Sequence, residues 1–315
     1  MLETQMDLQL LHRAATAYYL DDLRQAEIAE RLGVSRPTVS KLLTEARRIG
    51  LVRFEVLDIE DADRADLEAR LQDLLGLTAV RVAPGDQTQR GFRGLGDLLA
   101  EELETIALRR DDVLLVSSGQ TTYSVSGMNC LPRLPGVLVA PAVGGQQETD
   151  PAFQTNEIVR RFSDRTGSIP RFIFAPALPS PDLWASLQTD PSFQAITDLW
   201  ARARAMIVGI GAPHGQRESL TSVVPREDPS LERAAGDICL HFFDADGAPV
   251  GFPGAERMVR PPAELLRSVP SLIALAAGSV KAPSILAGAR AGLFTTLITD
   301  VAAAEAVLAR AAADR

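Results

Sequence analysis

The sequence predicts an α/β protein of two domains, an all-α helix-turn-helix domain over residues 1–57 and a larger, doubly wound domain over residues 58–315. Three observations predict this division. Apolar side chains of the first fifty residues recur at helical spacing around a glycine-bearing break. Runs of Val, Ile and Leu then alternate with polar loops and helices, which is typical of a mainly parallel sheet covered on both faces. The net charge of −9 falls entirely on the larger domain, because residues 1–57 hold equal numbers of basic and acidic side chains.

Three short helices are predicted in the first domain, over residues 7–20, 25–32 and 36–49. The first is expected to bury one apolar face, made of Leu8, Leu11, Ala15, Tyr18 and Tyr19. The other two are expected to complete the core with Ile28, Leu32, Val34, Val39 and Leu42. Ala29 is small enough to let two helices cross closely, and Gly33 supplies the positive φ that the turn between them needs.

The third helix carries the signal for nucleic acid. Ser35 can cap its start, and Pro37 stands in the first turn, where its missing N–H costs nothing. Between residues 36 and 53 there are five basic side chains and one acidic side chain, Glu45. A local basic patch of this kind is what DNA binding requires in a chain that is acidic overall.

The residues expected to contact DNA lie at the start of the second helix and along the third: Gln25, Ser35, Arg36, Thr38, Ser40, Lys41, Arg47 and Arg48. Arg36, Thr38 and Lys41 are expected to meet base edges in the major groove. Arg47 or Arg48 is expected to meet phosphate. The alternative is a helical hairpin whose basic face is merely solvated.

Residues 50–56 alternate like a short strand, and the acidic segment 57–66 is expected to hold the domain boundary. A helix marked by Leu67 and Leu71 should follow and end at Gly76. Strands are predicted over residues 79–82, 113–116, 136–143, 171–175, 206–210, 271–276 and 294–299, with an alanine-rich helix over 301–313. The loops after these strands should converge on one edge, where ligands bind: residues 117–122, 144–147, 209–212 and 278–281.

Composition is that of an ordinary globular protein, with 46% hydrophobic residues. The first residues lack the pattern of a signal peptide, and no apolar run approaches the roughly 18 residues that span a bilayer. We therefore expect a cytoplasmic protein without a membrane partner. The two cysteines, Cys130 and Cys239, are expected to be small buried residues, and the histidines lack the spacing of metal ligands, so we expect no metal and no cofactor.

The sequence as a whole resembles the SorC family of bacterial sugar-binding transcriptional regulators. The phrases that carry the resemblance are Ile28–Arg36, Val39–Leu43, Asn156–Arg161, Val208–Gly211, Gly236–Cys239, Phe242–Gly247, Lys281–Ala282 and Ile285–Arg290. The resemblance implies a larger domain related in fold to sugar-phosphate isomerases, assembly into homodimers or homotetramers, and DNA affinity that changes with a sugar or phosphorylated sugar. It predicts a regulator of a carbohydrate or polyol operon and not an enzyme.

The predicted effector site rests on the loops at the strand ends and on the family resemblance. Loop 117–122 joins a strand to a helix, so its N–H and hydroxyl groups should face an anion, whereas Asp237 and Lys281 enter only as positions that reach the effector in the family. The full set of expected effector contacts is Ser118, Gly119, Gln120, Thr121, Thr122, Gly144, Gly145, Gln146, Asn156, Asp237 and Lys281. The alternative for the first loop is an ordinary connection in which Thr121 or Thr122 caps the helix.

One departure from the family pattern narrows the effector. Some family members that bind phosphorylated sugars carry a basic residue beside the second glycine pair, whereas this chain has Gly144-Gly145-Gln146-Gln147. A free polyol or a monophosphorylated sugar therefore fits better than a bisphosphate.

Two other classes of function remain open from the sequence. One is a sugar-phosphate isomerase or deaminase with a DNA-binding appendage, in which Asp237 and Lys281 would move protons. The other is a scaffold whose larger domain only oligomerises.

Overall fold

We analysed a computed structural model of the chain. It describes residues 8–21, 23–52, 61–146, 150–213, 224–225 and 228–313. The chain divides into two compact units, residues 1–59 and 60–315, each with its own apolar core. The predicted boundary after residue 57 lies outside the described residues and stays a prediction. Within the described residues, no helix combines the length and the hydrophobicity needed to cross a membrane.

The first unit is the predicted helix-turn-helix, built from α1 (Leu8–Tyr19), α2 (Gln25–Leu32) and α3 (Arg36–Arg48). Gly33 ends α2 in the left-handed region at φ 67°, as the turn requires. Ser35 caps α3 by accepting the N–H of Thr38 at 3.3 Å. Ile28, Val39 and Leu42 are buried as predicted. Leu8 is 65% exposed, so its predicted burial is wrong, and Ala14 and Ala17 complete the buried face of α1 instead.

The segment between the units differs from the prediction on the side of the larger unit. Helix α4 spans Asp61–Leu75 and therefore begins six residues before Leu67, inside the stretch expected to be a linker. Acidic residues near a helix N-terminus are favoured by the helix dipole, and Asp66 pairs with Arg70 one turn later at 3.4 Å. Of the strand predicted over residues 50–56, Leu51 and Val52 form bends, and residues 53–56 lie outside the described residues.

The larger unit contains ten strands and nine helices in its described residues. The strands are β1 (Ala79–Ala83), β2 (Val113–Val116), β3 (Leu138–Pro141), β4 (Ile169–Pro170), β5 (Ala203–Gly209), β6 (Gly236–Ile238), β7 (His241–Phe243), β8 (Pro249–Val250), β9 (Ser271–Leu275) and β10 (Thr296–Asp300). The helices after α4 are α5 (Arg93–Ile106), α6 (Gln120–Ser126), α7 (Thr155–Thr166), α8 (Pro181–Leu187), α9 (Pro191–Ala201), α10 (Ala263–Ser268), α11 (Ala282–Arg290) and α12 (Val301–Ala313).

Seven strands form one sheet in the order β1-β10-β9-β5-β2-β3-β4, and every neighbouring pair is parallel. Along β5, Met206 and Val208 pack into the apolar layer on one face, whereas Ala205 and Ile207 pack into the layer on the other. This two-sided burial confirms the predicted doubly wound fold. The chain moves outward to β3 and β4 from β2, and to β9 and β10 from β5, so the direction of winding reverses between β2 and β5.

The strand predicted over residues 171–175 is wrong, because pairing ends after the two residues of β4 at the edge of the sheet. Beyond that point, hydrogen bonds from a side chain replace those of the strand ladder. Asn156 Nδ2 donates to the carbonyl of Ile173 at 2.8 Å, and the Ile173 N–H donates to Asn156 Oδ1 at 3.0 Å. The amide of Asn156 therefore satisfies the backbone groups that a neighbouring strand would have bound.

A small antiparallel sheet, β6-β7-β8, was not predicted. Its first hairpin turns through Cys239 and Leu240, which both lie in the left-handed region, at φ 49° and 63°. Two consecutive left-handed residues fit the twist of a two-residue hairpin, but Asn and Gly are the usual occupants. Side chains with a Cβ are strained there, so the surrounding contacts must hold this turn in place.

A buried carboxylate ties together loops at the end of the sheet that holds β1, β9 and β10. Asp300, which is fully buried, accepts the N–H groups of Gln87 at 2.8 Å, Gly278 at 3.0 Å and Ala303 at 2.9 Å. These donors follow β1, β9 and β10 along the chain. The interaction therefore fixes the loop that leads from β9 to Lys281.

Candidate functional site

A polar cavity of about 130 Å³ lies where the winding of the sheet reverses, at the carboxyl ends of β2 and β5. This is the position at which doubly wound sheets bind ligands. Its volume holds on the order of ten water-sized positions, which suits a small polar molecule. Its lining residues are Ser117–Thr121, Val143, Gln146, Phe153, Gly209–Gly211, Asp237, Cys239, Leu240 and Lys281.

The loop after β2 is held from three sides. Ser117 Oγ accepts the N–H of Gly209 at 3.2 Å, which fastens the loop to the end of β5. Ser118 Oγ accepts a hydrogen bond from Gln146 Nε2 at 2.9 Å. The N–H of Gly119 donates to the carbonyl of Ala152 at 2.8 Å. Three neighbouring segments thus hold the cavity wall rigidly.

Helix α6 starts at this loop without a side-chain cap. Its N-cap residue is Gly119, at φ 137°, a positive φ that favours glycine, and no side chain bonds to the first helical N–H groups. The alternative in which Thr121 or Thr122 caps the helix is therefore wrong. The first N–H groups of a helix that lacks a cap are donors for water or a ligand.

Gln146 forms the wall opposite this loop and leaves one acceptor unused. The residue is 5% exposed, and its Nε2 is bound to Ser118. Its Oε1 is buried without a hydrogen-bond partner among the described residues. A buried acceptor without a donor costs free energy, so it favours a ligand that supplies a hydroxyl or N–H.

The carboxylate of the cavity belongs to Asp237, on β6. Asp237 is 5% exposed, and its Oδ2 accepts the N–H of Leu240 at 3.1 Å across the strained hairpin turn. Its backbone carbonyl accepts the N–H of Gly211 at 2.8 Å, which fastens the hairpin to the loop after β5. On the other side of the turn, the Arg260 guanidinium donates to the carbonyl of Leu240. Burial lowers the pKa of Arg260 to about 10, and the charge of Asp237 opposes that shift.

The ammonium of the cavity belongs to Lys281, which closes a short 3₁₀ turn after β9. Its Nζ donates to the carbonyl of Ile210 at 2.7 Å. That contact draws the side chain across to the loop after β5, where it faces the cavity. The fold therefore brings Asp237 and Lys281 to one cavity although they are 44 positions apart in the sequence.

Seven of the eleven predicted effector contacts line this cavity: Ser118, Gly119, Gln120, Thr121, Gln146, Asp237 and Lys281. The other four lie outside its lining. Thr122 is buried behind it, with an Oγ1 that has no partner among the described residues. Gly144 and Gly145 pack against segment 175–177, where a Cβ on Gly144 would come within 2.8 Å of backbone atoms. The side chain of Asn156 binds Ile173, as described above.

Sequence reasoning missed several residues of the cavity. Phe153, Cys239 and Leu240 line it, and Arg260 supports its hairpin from behind. Burial raises the pKa of the Cys239 thiol well above its usual range, so the thiol stays protonated. Cys239 is buried as predicted, whereas Cys130 is only partly buried. Among the described residues, no group of three or more His, Cys, Asp or Glu side chains is placed to hold a metal ion.

The predicted DNA-contacting residues lie on the surface of the first unit. Exposed residues of this set are Ser35, Arg36, Ser40, Lys41, Arg47 and Arg48, while Gln25 and Thr38 are partly buried. The hydroxyls of Thr38 and Ser35 bond to each other at 2.7 Å. Thr44, which was not predicted, is exposed one turn after Ser40 and accepts a hydrogen bond from Arg47 at 3.3 Å.

Glu45 already pairs with one of these cations. Its carboxylate accepts two hydrogen bonds from the Arg48 guanidinium, one of them at 2.6 Å from Nε. The pair lowers the pKa of Glu45 and raises that of Arg48. Arg47 instead bonds to the Leu43 carbonyl and Thr44, so its charge is not neutralised by these contacts.

Comparison with known proteins finds a family model that matches each unit. Residues 60–309 match the sugar-binding domain family, and residues 8–70 match the Crp-like helix-turn-helix domain. The transcriptional regulator LsrR of Klebsiella pneumoniae is 30% identical over 316 residues, covering 96% of this chain and 94% of LsrR. The deoxyribonucleoside regulator of Bacillus subtilis is 29% identical, covering 95% of this chain and 97% of that protein.

A solved structure is similar over nearly the whole chain. The full-length sorbitol operon regulator SorC from Klebsiella pneumoniae superposes with a TM-score of 0.77 at 25% identity. The match covers 96% of this chain and 99% of that one. The likeness therefore includes both the helix-turn-helix and the larger unit.

Proposed function

This chain belongs to the SorC family of sugar-binding transcriptional regulators, and on that premise we propose that a monosaccharide, a polyol or a sugar monophosphate binds at the Asp237–Lys281 cavity and changes operator affinity. Its helix-turn-helix binds DNA, and its larger domain binds a sugar. One observation carries the proposal: a small polar cavity at the reversal point of the sheet holds one buried carboxylate and one ammonium.

The roles of the polar groups follow from their chemistry. Asp237 suits paired sugar hydroxyls, because a carboxylate accepts hydrogen bonds and cannot donate them. Lys281 and the uncapped start of α6 supply donors for a phosphate or a hydroxyl oxygen. Gln146 Oε1 accepts one more hydroxyl. Ser118, Gly119, Gln120 and Thr121 complete this set, whereas the positions of Thr122, Gly144, Gly145 and Asn156 favour structural roles.

The charge of the lining favours at most one phosphate. Among the described residues, Lys281 is the only basic side chain on the lining, and Asp237 opposes it. Two phosphates would carry about four negative charges into a site with a single cation. An uncharged polyol or a monophosphate therefore fits better than a bisphosphate.

Helix α3, with its exposed cations, is the proposed DNA reader, and it works through pairing of chains. A single basic helix binds weakly, so we propose that homodimers or homotetramers present two reader helices to half-sites about one helical turn apart, or a multiple of it. Effector binding shifts the population between DNA-competent and incompetent arrangements. Arg36, Lys41 and Thr38 contact bases. Arg47 contacts phosphate more strongly than Arg48 does, because Arg48 is paired with Glu45. The protein acts in the cytoplasm, where bacterial operators are.

A ligand screen followed by a DNA-binding assay tests the proposal. Purified protein is heated with polyols, aldoses, ketoses and their phosphates, and the compound that raises the unfolding temperature is identified. That compound should then change the affinity for an operator selected from random duplexes. DNA binding that stays identical with every stabilising compound would overturn the account, and the absence of any stabilising compound would favour the scaffold.

We propose binding and not turnover at this cavity. The thiol of Cys239 is held protonated by burial and is a poor nucleophile. Asp237 already bonds to the Leu240 N–H, which supports the hairpin. Incubating purified protein with candidate sugar phosphates tests this point, and isomerised or deaminated product above a Lys281→Met control would establish the enzyme instead.

A further inference from the structure

A second cavity lies in the larger unit, between helices α8–α9 and segment 255–262. Its volume of about 580 Å³ exceeds that of the effector cavity, at about 130 Å³, and falls in the range of roughly 300–1,000 Å³ that is usual for small-molecule sites. The two cavities share no lining residue. Nothing in the proposed sugar site uses this second space.

The walls of the second cavity are aromatic and apolar. Trp184 and Phe193 meet edge to face at 6.3 Å between ring centres, and Trp200 and Met258 complete the walls. The Trp200 indole N–H is already bound to the Pro141 carbonyl at 2.9 Å, so its ring offers only apolar surface. Walls of this kind bind the flat or cyclic body of a ligand and not a polyol.

One cation stands on this lining. Arg260 reaches it, and the only described acceptor for its five N–H donors is the Leu240 carbonyl. His241 also lines the cavity, but burial lowers its pKa to about 4, and its Nε2 bonds to the Pro261 carbonyl at 2.9 Å. The one carboxylate among the described lining residues, Glu256, is 71% exposed and paired with Arg257 at 3.0 Å. The charge of Asp237 also acts on Arg260, but Asp237 lines the other cavity and not this one. On the lining of the second cavity, the charge therefore favours one anionic group beside Arg260.

Arg260 also connects the two cavities. Its guanidinium donates to the carbonyl of Leu240, and Leu240 with Cys239 forms the strained hairpin turn that lines the effector cavity. An anion bound to Arg260 would draw the guanidinium toward the second cavity and away from the Leu240 carbonyl. Because strained turns persist only while their surroundings hold them, a change at Arg260 should loosen the wall of the effector cavity.

We propose that the second cavity is a regulatory site for a small cyclic or aromatic monoanion, and that Arg260 couples its occupancy to the effector cavity. Binding does not depend on the proposed sugar function. Only the biological meaning of the coupling rests on it. By linkage, an anion in the second cavity that loosens the hairpin changes the affinity of the effector cavity for its ligand, and the effector changes the affinity for the anion by the same factor.

The chain carries a built-in reporter for this site, because both of its tryptophans, Trp184 and Trp200, line the second cavity and neither lines the effector cavity. Full-length protein is titrated with anilinonaphthalene sulfonate and, separately, with phenylnaphthylamine, its neutral analogue without the sulfonate. We expect energy transfer that quenches tryptophan emission at one probe per chain. The sulfonate should bind about tenfold more tightly, because its charge pairs with Arg260.

Three variants separate recognition from misfolding. Arg260→Gln should abolish the preference for the sulfonate. Arg202→Gln is the matched control, since Arg202 is exposed just after α9 and does not line the cavity, and the preference should persist. Gln194→Glu changes an exposed lining residue and should weaken only the sulfonate, which keeps the test valid if Arg260→Gln fails to fold.

Coupling is measured without any sugar. In a Cys130→Ser background, Cys239 is the only thiol, and its reaction with a chromogenic disulfide reagent reports opening of the hairpin. Saturating sulfonate probe should accelerate that reaction severalfold, and Arg260→Gln should remove the effect.

Equal affinity for the two probes, or no quenching of tryptophan emission, would overturn the proposed site. Tryptophan emission that changes on dilution without probe would assign the cavity to an interface with a second copy and overturn it too. An unchanged thiol rate would overturn the coupling.

Discussion

The proposed DNA-reading helix, α3, and the proposed effector cavity are built in opposite ways. The predicted DNA contacts on α3 stand within thirteen consecutive residues and are mostly exposed, so neighbouring positions in sequence are neighbours in space. The cavity gathers groups from residues 117 to 281, and all of them except Gln120 are buried or half-buried. The chain has only two lysines, and each region holds one, Lys41 on the reader helix and Lys281 in the cavity.

This difference predicts how substitutions in each region should act. Exposed side chains on one rigid helix act almost independently, so their losses should add. Groups in the cavity share partners, since Asp237 holds the same hairpin turn that Arg260 holds. A substitution there should disturb more than one contact. The following predictions are arranged from the largest expected effect to the smallest.

Loss of the cavity ammonium should have the largest effect. Lys281→Met should weaken effector binding by roughly 100-fold, since a charge-assisted hydrogen bond is lost. Operator affinity without effector should stay native. Calorimetric titration with the effector from the screen measures the loss of effector affinity. The control is Arg171→Met, which removes an exposed cation outside the cavity. If both variants bind alike, Lys281 does not contact the effector.

The corresponding loss on the reader helix should be somewhat smaller. Arg36→Ala should weaken operator binding by roughly 30-fold and relax specificity at one base pair, because Arg36 is exposed at the start of α3. Effector affinity should be unchanged. Fluorescence anisotropy with the selected duplex measures the loss, and Arg13→Ala on α1 serves as control. Equal damage to DNA and effector binding would break the division between the two regions.

The two lysines allow a direct footprint of both regions in one protein. Operator DNA should protect Lys41 from reductive methylation, and the effector should protect Lys281. At ligand tenfold above Kd, each rate should fall about tenfold. Mass spectrometry of the peptides reads both rates at once. Protection of Lys281 by DNA alone, with no effector present, would contradict the separation.

Acid should act on the larger unit through His241. Burial lowers its pKa to about 4 from 6.5, so the unfolded chain binds the extra proton between these values. Stability is then present above pH 6.5 and declines as the pH falls toward 4, by about 1 kcal/mol between pH 7.5 and 5.5. Chemical denaturation at several pH values measures the decline, and His241→Gln should flatten it. A decline of the same size in the variant would assign it to other groups.

Release of Arg48 should give the smallest effect, and in the opposite direction. Glu45→Gln removes a negative charge from the reader surface and frees Arg48, so DNA affinity should rise by roughly twofold to threefold at low salt. The gain should shrink as salt increases. Arg48→Ala should cost less than Arg47→Ala in the native background. A drop in affinity for Glu45→Gln would mean that the pair orders α3 for binding.

The two regions also differ in how much of their structure could be predicted from the sequence. Helices α1, α2 and α3 were predicted to within about two residues, because Gly33, Ser35 and Pro37 act through local geometry. Most parallel strands were also predicted, since a strand buried on both faces is a continuous apolar run. β4 was misplaced because the side chain of Asn156, distant in sequence, ends the ladder.

The cavity was predictable only in part. The loops at the strand ends followed from the fold, but the approach of Asp237 and Lys281 depends on tertiary contacts that no periodicity encodes. The roles of Cys239, Leu240 and Arg260 depend on a hairpin of three-residue strands, too short to give an alternating pattern. Gly144 looked like a ligand-binding glycine, although close packing against backbone requires it.

The position of Asp300 has a consequence for how the protein is made. Its carboxylate binds the N–H of Gln87, 213 residues earlier in the chain. Strand β1 pairs with β10 over a similar separation, as Ala79 does with Thr296. A ribosome therefore releases the helix-turn-helix, whose contacts are local, long before the edge strand of the sheet can find its neighbour. For most of its synthesis, β1 has no partner, and the cavity lined by Lys281 is among the last parts of the molecule to form. A chain interrupted before β10 would carry a complete DNA reader and no sensor.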